Sequence, residues 1–196
     1  MRRDELEELH YIAPLSNIFS ICRLGILSHQ SVEKITHDSV AMQEIQDRRA
    51  KVIVPGGRRL HEYVNLYICA RNPMLYKRQA KHAELCVLRI SPEVLDLPGV
   101  VVTDANASSP YVRFAAAPRG LNIVNRESTF AEYWTDPDPI QYFRRKSAKC
   151  AEVLVPGVLD SRFLMGAYVS CDESLARWNT LRVHIGAVID RKLFFR

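Results

Sequence analysis

The sequence predicts an α+β fold in which helices flank a mixed, strongly twisted β core. Strand-like runs rich in β-branched and aromatic residues recur along the chain, as in YVNLYICA at 63–70, ELCVLRI at 84–90 and CAEVLV at 150–155. Capped, apolar-periodic helical segments gather toward the N-terminal half. The two kinds of element do not alternate in the regular way that a doubly wound parallel sheet requires. At 196 residues, 47% hydrophobic and 25% charged, the chain fits one domain over residues 1–196 with a full core.

In chain order, LHYIA (9–13) is a short strand ended by Pro14, and SNIFSICRLG places an N-cap serine before an apolar periodic run that Gly25 closes. DSVAMQEIQDRR (38–49) reads as a helix opened by Asp38 or Ser39 and ending at Arg48 and Arg49. VPGGRR is a turn, YVNLYICA a strand, and RNPMLYKRQAKHA a basic loop that starts at a proline. ELCVLRI and GVVVTD are strands, STFAEYW a helix, and TDPDPI turn chemistry. CAEVLV and FLMGAYVS are strands, DESLARWNTL is a capped helix, and VHIGAVI with KLFF suggests closing strands.

Bulk properties exclude several classes. The longest apolar runs fall far short of the ~20 residues that a membrane span needs. The charged opening MRRDELEELHY lacks the apolar core of a secretory signal, so a cytoplasmic, membrane-free protein is expected. Five cysteines, with no CxxC and no histidine at zinc-ligand spacing, read as reduced thiols with no metal site. Rossmann, P-loop, HExxH, GxSxG and zinc-deaminase signatures are all missing. The net charge of +5 and a pI near 9.0 tilt the partner question toward polyanions.

Basic residues gather between Arg48 and Arg89, and again in FRRKSAK, immediately before the strand that carries Glu152. On strand alternation Glu152 and Leu154 share one face, and Ala151, Val153 and Val155 the other. A lone strand glutamate most often lies on a solvated face; the leucine on its face and the proline after the strand favour a cleft instead. Arg49 ends a helix, where the dipole favours a cation for reasons unrelated to function, and Arg48 is its equal on this ground. His10 and Tyr11 occupy opposite faces of the first strand.

Taken together, HYIAPLSNIFSICRLGILSH, SVAMQEIQDRR, GGRRLHEYVNLYICARNPMLY and KCAEVLV resemble the successive blocks of the DarT family, in family order over most of residues 9–155. The family comprises toxins of toxin–antitoxin pairs that ADP-ribosylate DNA bases with NAD, on the ADP-ribosyltransferase fold. The resemblance implies that Glu152 and Arg49 are catalytic. It places Asn17, Ser39 and Tyr67 against NAD, and the block that follows the strand tyrosine carries Arg71, Met74 and Tyr76. Counting back from Asn17, the family's first-strand histidine falls on Tyr11 while His10 lies one residue away. Either Tyr11 replaces it or a bulge lets His10 serve.

The expected activity is therefore transfer of ADP-ribose from NAD, without a metal, to thymine or guanine in single-stranded DNA. A single strand is expected because base atoms inside a duplex are out of a cleft's reach. Lys77 and Arg78 would track phosphates beside Arg48 and Arg71, Tyr76 would stack on a base, and Met74 would wedge between bases. RNA as acceptor and a lapsed nucleic-acid-binding module are the alternatives, and a macrodomain-type antitoxin is the expected partner.

Overall fold

The computed structural model describes residues 1–32, 37–38 and 43–196. Its strands are β1 (Leu9–Pro14), β2 (Ile26–Leu27), β3 (Tyr63–Tyr67), β4 (Leu85–Ile90), β5 (Val101–Thr103), β6 (Phe114–Ala116), β7 (Glu152–Pro156), β8 (Val158–Leu159), β9 (Leu164–Val169) and β10 (Ala187–Ile189). Its helices are α1 (Ile18–Leu24), α2 (His29–Val32), α3 (Gln43–Ala50), α4 (Pro73–Tyr76), α5 (Arg126–Phe130), α6 (Pro139–Ala148) and α7 (Asp172–Thr180). Among the described residues, eight strands form one sheet in the order β10-β9-β4-β1-β3-β7-β5-β6, and β2 pairs with β8 separately. Every neighbouring pair is antiparallel except β9 with β10, so the sheet is mixed and the fold α+β, as predicted.

Alternation decides which side each strand buries. Leu9 and Ala13, Val64 and Leu66, Cys86, Leu88 and Ile90, and Val153 and Val155 face one side, where Ile18 and Trp178 complete the main core. The opposite face is covered by two smaller clusters. One gathers Ile12, Leu75, Leu85, Val87 and Phe194, the other Val54, Leu60, Tyr63, Ala107 and Leu154. Glu152 stands on this second face, in register with Tyr67, while Asn65 is in register with Leu154. A polar strip thus runs between two apolar patches.

The sheet is split at its centre. β1 pairs with β4 along all six residues, but with β3 only at His10 opposite Tyr67. Where β1 and β3 part, a cleft opens between Tyr11–Pro14 and Tyr63–Asn65. Gly25 closes α1 at φ +78° beside this cleft, and a Cβ there would lie 2.3 Å from the Leu159 carbonyl oxygen. Gly25→Ala is therefore expected to destabilise the fold by about 2–4 kcal/mol, from a left-handed backbone plus overpacking. The urea midpoint reads this, and an unchanged midpoint would contradict so close an approach.

Several elements depart from expectation. Helices are not concentrated in the N-terminal half, since α5, α6 and α7 all lie beyond residue 125. TDPDPI is not only a turn: Asp138 accepts a hydrogen bond from the Ile140 amide and Pro139 opens α6, whose second half is the FRRKSAK run. KLFF is not a strand. The Asp190 carboxylate takes the Leu193 amide at 2.9 Å and bends the tail into turns, burying Phe194 in a core cluster. RNPMLY forms a short helix rather than a loop, because Asn72 caps the Met74 and Leu75 amides and Pro73 sits at the first helical position. No helix among the described residues is long and apolar enough to cross a membrane.

Candidate active site

Glu152 begins β7, between β3 and β5. The β5–β7 ladder stops at Val102 opposite Val153, and Thr103 takes over from it. The Thr103 hydroxyl accepts from the Glu152 amide at 3.0 Å and donates to the Ala105 carbonyl at 2.7 Å, which ties the start of β7 to the end of β5. The side chain is 0% exposed and its carboxylate accepts four hydrogen bonds. Arg49 donates two as a fork, Nη1 to Oε1 at 3.1 Å and Nη2 to Oε2 at 2.8 Å. Asn65 Nδ2 donates to Oε2 at 3.0 Å and the Ala107 amide to Oε1 at 3.1 Å.

A buried carboxylate without such partners would be strongly disfavoured, and a planar guanidinium is the side chain best shaped to pair with both oxygens. Arg49 is itself only 6% exposed. Burial works against its charge, but the adjoining carboxylate outweighs this and holds its pKa above the ordinary value. The negative field is felt by the neighbours as well. Burial and then Glu152 push the Tyr67 phenol up, and the Cys150 thiol is pushed up to about 12 by the same two causes. Cys150 lines the cleft, yet such a thiol stays protonated near neutral pH and offers no nucleophile.

The cleft encloses about 480 Å³ and is floored by Arg49, Asn65 and Tyr67, with Glu152 directly beneath them. One wall carries Tyr11 and Asn17, another Met74, Lys77 and Arg78, with Arg48 at the edge. The facing wall is α6, which brings Tyr142, Phe143 and Lys146 to the same space, next to Ser108 and Ser109 from the loop that carries Ala107. That loop is tied to α6 by the Asn106 amide on the Ser147 carbonyl at 3.1 Å. Among the described residues no group of three or more His, Cys, Asp or Glu side chains could hold a metal ion.

The family model described as ssDNA thymidine ADP-ribosyltransferase, DarT, matches residues 10–194. The chain belongs to the DarT family. It is 31% identical over 158 residues to a DNA ADP-ribosyl transferase of Thermus sp. (strain 2.9), covering 75% of this chain and 73% of that protein. It is also 31% identical over 175 residues to a transferase–glycohydrolase fusion of Thermosipho africanus, where it spans 43% of the relative's length. Among solved structures, Thermosipho africanus DarTG with ADP-ribose matches with TM-score 0.83 and 27% identity over 96% of this chain and 51% of that one. Thermus sp. 2.9 DarT with ADP-ribosylated ssDNA matches with TM-score 0.79 and 25% identity over 96% of both chains.

In this DarT chain the structure brings together Glu152, Arg49, Arg48, Tyr11, Asn17, Tyr67, Met74, Lys77 and Arg78 at one cleft. Ser39 lies outside the described residues. Asn17 binds Asp38 twice, Nδ2 to its carbonyl at 2.7 Å and Oδ1 from its amide at 3.2 Å, and so fixes the strand-to-helix entry of the cleft. His10 shares a cross-strand row with Tyr67 and Glu152, but its ring is turned to Glu8, with Nε2 3.1 Å from the carboxylate, and does not line the cleft. Tyr11 does line it, from the main-core side of β1 that it shares with Leu9 and Ala13.

Two expected nucleic-acid contacts are placed elsewhere. Arg71 donates Nε to the Lys192 carbonyl at 3.1 Å and Nη1 to the Glu132 carbonyl at 2.9 Å, with its guanidinium 4.2 Å from the Phe195 ring centre. Tyr76 packs edgewise against Trp134 and Phe195 in the same knot. These residues tie the C-terminal tail to the fold and are absent from the cleft wall. Arg71→Ala is expected to destabilise by about 2 kcal/mol, the scale of hydrogen bonds to a charged group, while leaving single-strand affinity unchanged. Denaturant titration beside fluorescence anisotropy checks both parts.

The sequence reading missed Asn65, the Ala107 amide, Thr103 and the α6 wall. Only α6 carried a signal, in the Asp138-Pro139 cap followed by Tyr142 and Lys146 one turn apart.

Proposed function

We propose that this chain transfers ADP-ribose from NAD to a base of single-stranded DNA, with residues 1–196 acting as one transferase unit. The observation that carries this reading is the buried Arg49–Glu152 fork beneath the floor of a cleft of dinucleotide size. Small-molecule sites usually enclose roughly 300–1,000 Å³, so the residues present fit the co-substrate. Asn17, Tyr11 and Tyr67 would hold it. NAD supplies an ADP-ribosyl group joined to a nicotinamide leaving group.

The rest is done by side chains. Glu152 faces the positive charge that builds on an anomeric carbon as its glycosidic bond lengthens, as a carboxylate does in glycoside hydrolysis. It then takes the proton of the attacking base nitrogen, a contribution typically worth ~10²–10⁴-fold. Arg49 holds both oxygens of that carboxylate in place, and its remaining N–H groups are donors for a base turning anionic. Phe143, 48% exposed on α6, gives a flanking base a stacking face worth ~1–3 kcal/mol, and Lys146, Lys77 and Arg78 follow the phosphates.

The family description supports thymine as the base, and the likeness to Thermus sp. 2.9 DarT in complex with ADP-ribosylated ssDNA supports a single DNA strand. The Thermosipho fusion with a DNA ADP-ribosyl glycohydrolase supports a toxin role beside a macrodomain-type antitoxin that removes the group again. The test is incubation with labelled NAD and separate pools of DNA, RNA and protein. Label retained on single-stranded DNA is expected. Label on RNA alone would move the acceptor, free ADP-ribose alone would make the protein a glycohydrolase, and tight binding without label would leave only a binding module.

A further inference from the structure

We propose that Asn65 is a positioning residue for Glu152, and that its hydrogen bond reserves the site on Oε2 that the acceptor base's N–H takes over. The inference rests on the transferase reading. An ionised carboxylate offers about four acceptor sites, and here each oxygen already holds two donors: Arg49 Nη1 and the Ala107 amide on Oε1, Arg49 Nη2 and Asn65 Nδ2 on Oε2. No lone pair is left for a proton. One donor has to leave before Glu152 can act as a base.

The four are not equally able to leave. Ala107 is a backbone donor at 0% exposure, and Arg49, at 6%, would abandon both oxygens of a buried ion while withdrawing. Asn65 is half-buried and lines the cleft. Its orientation is fixed by chemistry, because an ionised carboxylate only accepts and so the amide nitrogen must face Oε2. Among the described residues its side chain makes no hydrogen bond besides that to Oε2, so it can turn without breaking another one. Oε2 then takes the base proton on the lone pair Asn65 vacates, the base nitrogen bonds to the anomeric carbon, and the electron pair of the broken bond leaves with nicotinamide.

Asn65→Ala and Asn65→Asp separate this role from space filling. Alanine removes the donor, whereas aspartate keeps the shape but sets a second carboxylate 3.0 Å from Oε2. With labelled NAD and a single-stranded oligonucleotide, kcat is expected to fall about tenfold in Asn65→Ala and more than about 100-fold in Asn65→Asp, with KM for NAD held within about threefold. A residue that merely fills space gives the reverse order, and aspartate matching or exceeding alanine overturns the proposal. Thermal melting at pH 8 gives a readout independent of transfer, with Asn65→Asp expected to melt below Asn65→Ala. If the unsubstituted protein labels no DNA, the transferase reading fails by itself. The melting order still decides whether Asn65 serves the carboxylate as a donor, and aspartate melting above alanine rejects it.

Discussion

Glu152→Gln is expected to lower transfer by at least ~10²–10⁴-fold, the range ascribed to a positioned acid or base. It should leave NAD affinity within about threefold, because the carboxylate lies beneath the cleft floor and its loss removes no wall. The amide does more than remove a charge. Its NH₂ would meet one arm of the Arg49 fork donor to donor, so the buried guanidinium loses half its pairing. Single-turnover transfer beside calorimetric NAD titration separates these effects. Full transfer activity in this variant would remove Glu152 from the chemistry.

Arg49→Ala carries the second large effect, on stability as well as turnover. Breaking a buried ion pair from one side typically costs about 3–5 kcal/mol, because the remaining charge is left unpaired. For a domain of this size that is a fall in Tm of about 6–20 °C. Arg49→Lys restores charge at a single point and not the fork, so it should recover part of the stability and little of the transfer. Pairing Arg49→Met with Glu152→Leu should return most of the lost stability without activity, since both buried charges are then gone. Differential scanning calorimetry on the set checks this; Arg49→Ala melting within about 2 °C of the parent would mean that the pair is not buried as described.

Much of this site could be read from the chain because its parts are local. Glu152 stands out as a carboxylate in a strand otherwise made of Ala, Cys, Val and Leu, and period-two alternation correctly separates it and Leu154 from Val153 and Val155. Arg49 is marked by its helix end and by the family's block. Their meeting was not legible, since 103 residues separate them and only the tertiary fold joins them. The same holds for Asn65, which in sequence is one polar residue in an alternating strand. Its importance appears only when register sets Tyr67 opposite Glu152 and Asn65 opposite Leu154, on the Glu152 face.

Where local reasoning failed, a competing local interaction or a remote partner explains it. KLFF has strand propensity, but Asp190 offers the Leu193 amide an alternative partner and turns the tail instead. Arg71 sits six and seven residues before Lys77 and Arg78 and looks like part of one basic surface. Carbonyls of Glu132 and Lys192, distant in sequence, claim its guanidinium. The single pairing of β1 with β3 that opens the cleft is a property of the whole sheet, and no residue of either strand announces it.

The most direct test of the central claim is nucleoside mass spectrometry of a defined single-stranded oligonucleotide after incubation with the protein and NAD. The account predicts one deoxynucleoside bearing an ADP-ribosyl group on its base, formed by the parent protein and absent with Glu152→Gln. Unmodified nucleosides after complete consumption of NAD would contradict it, as would an adduct that forms equally well without Glu152.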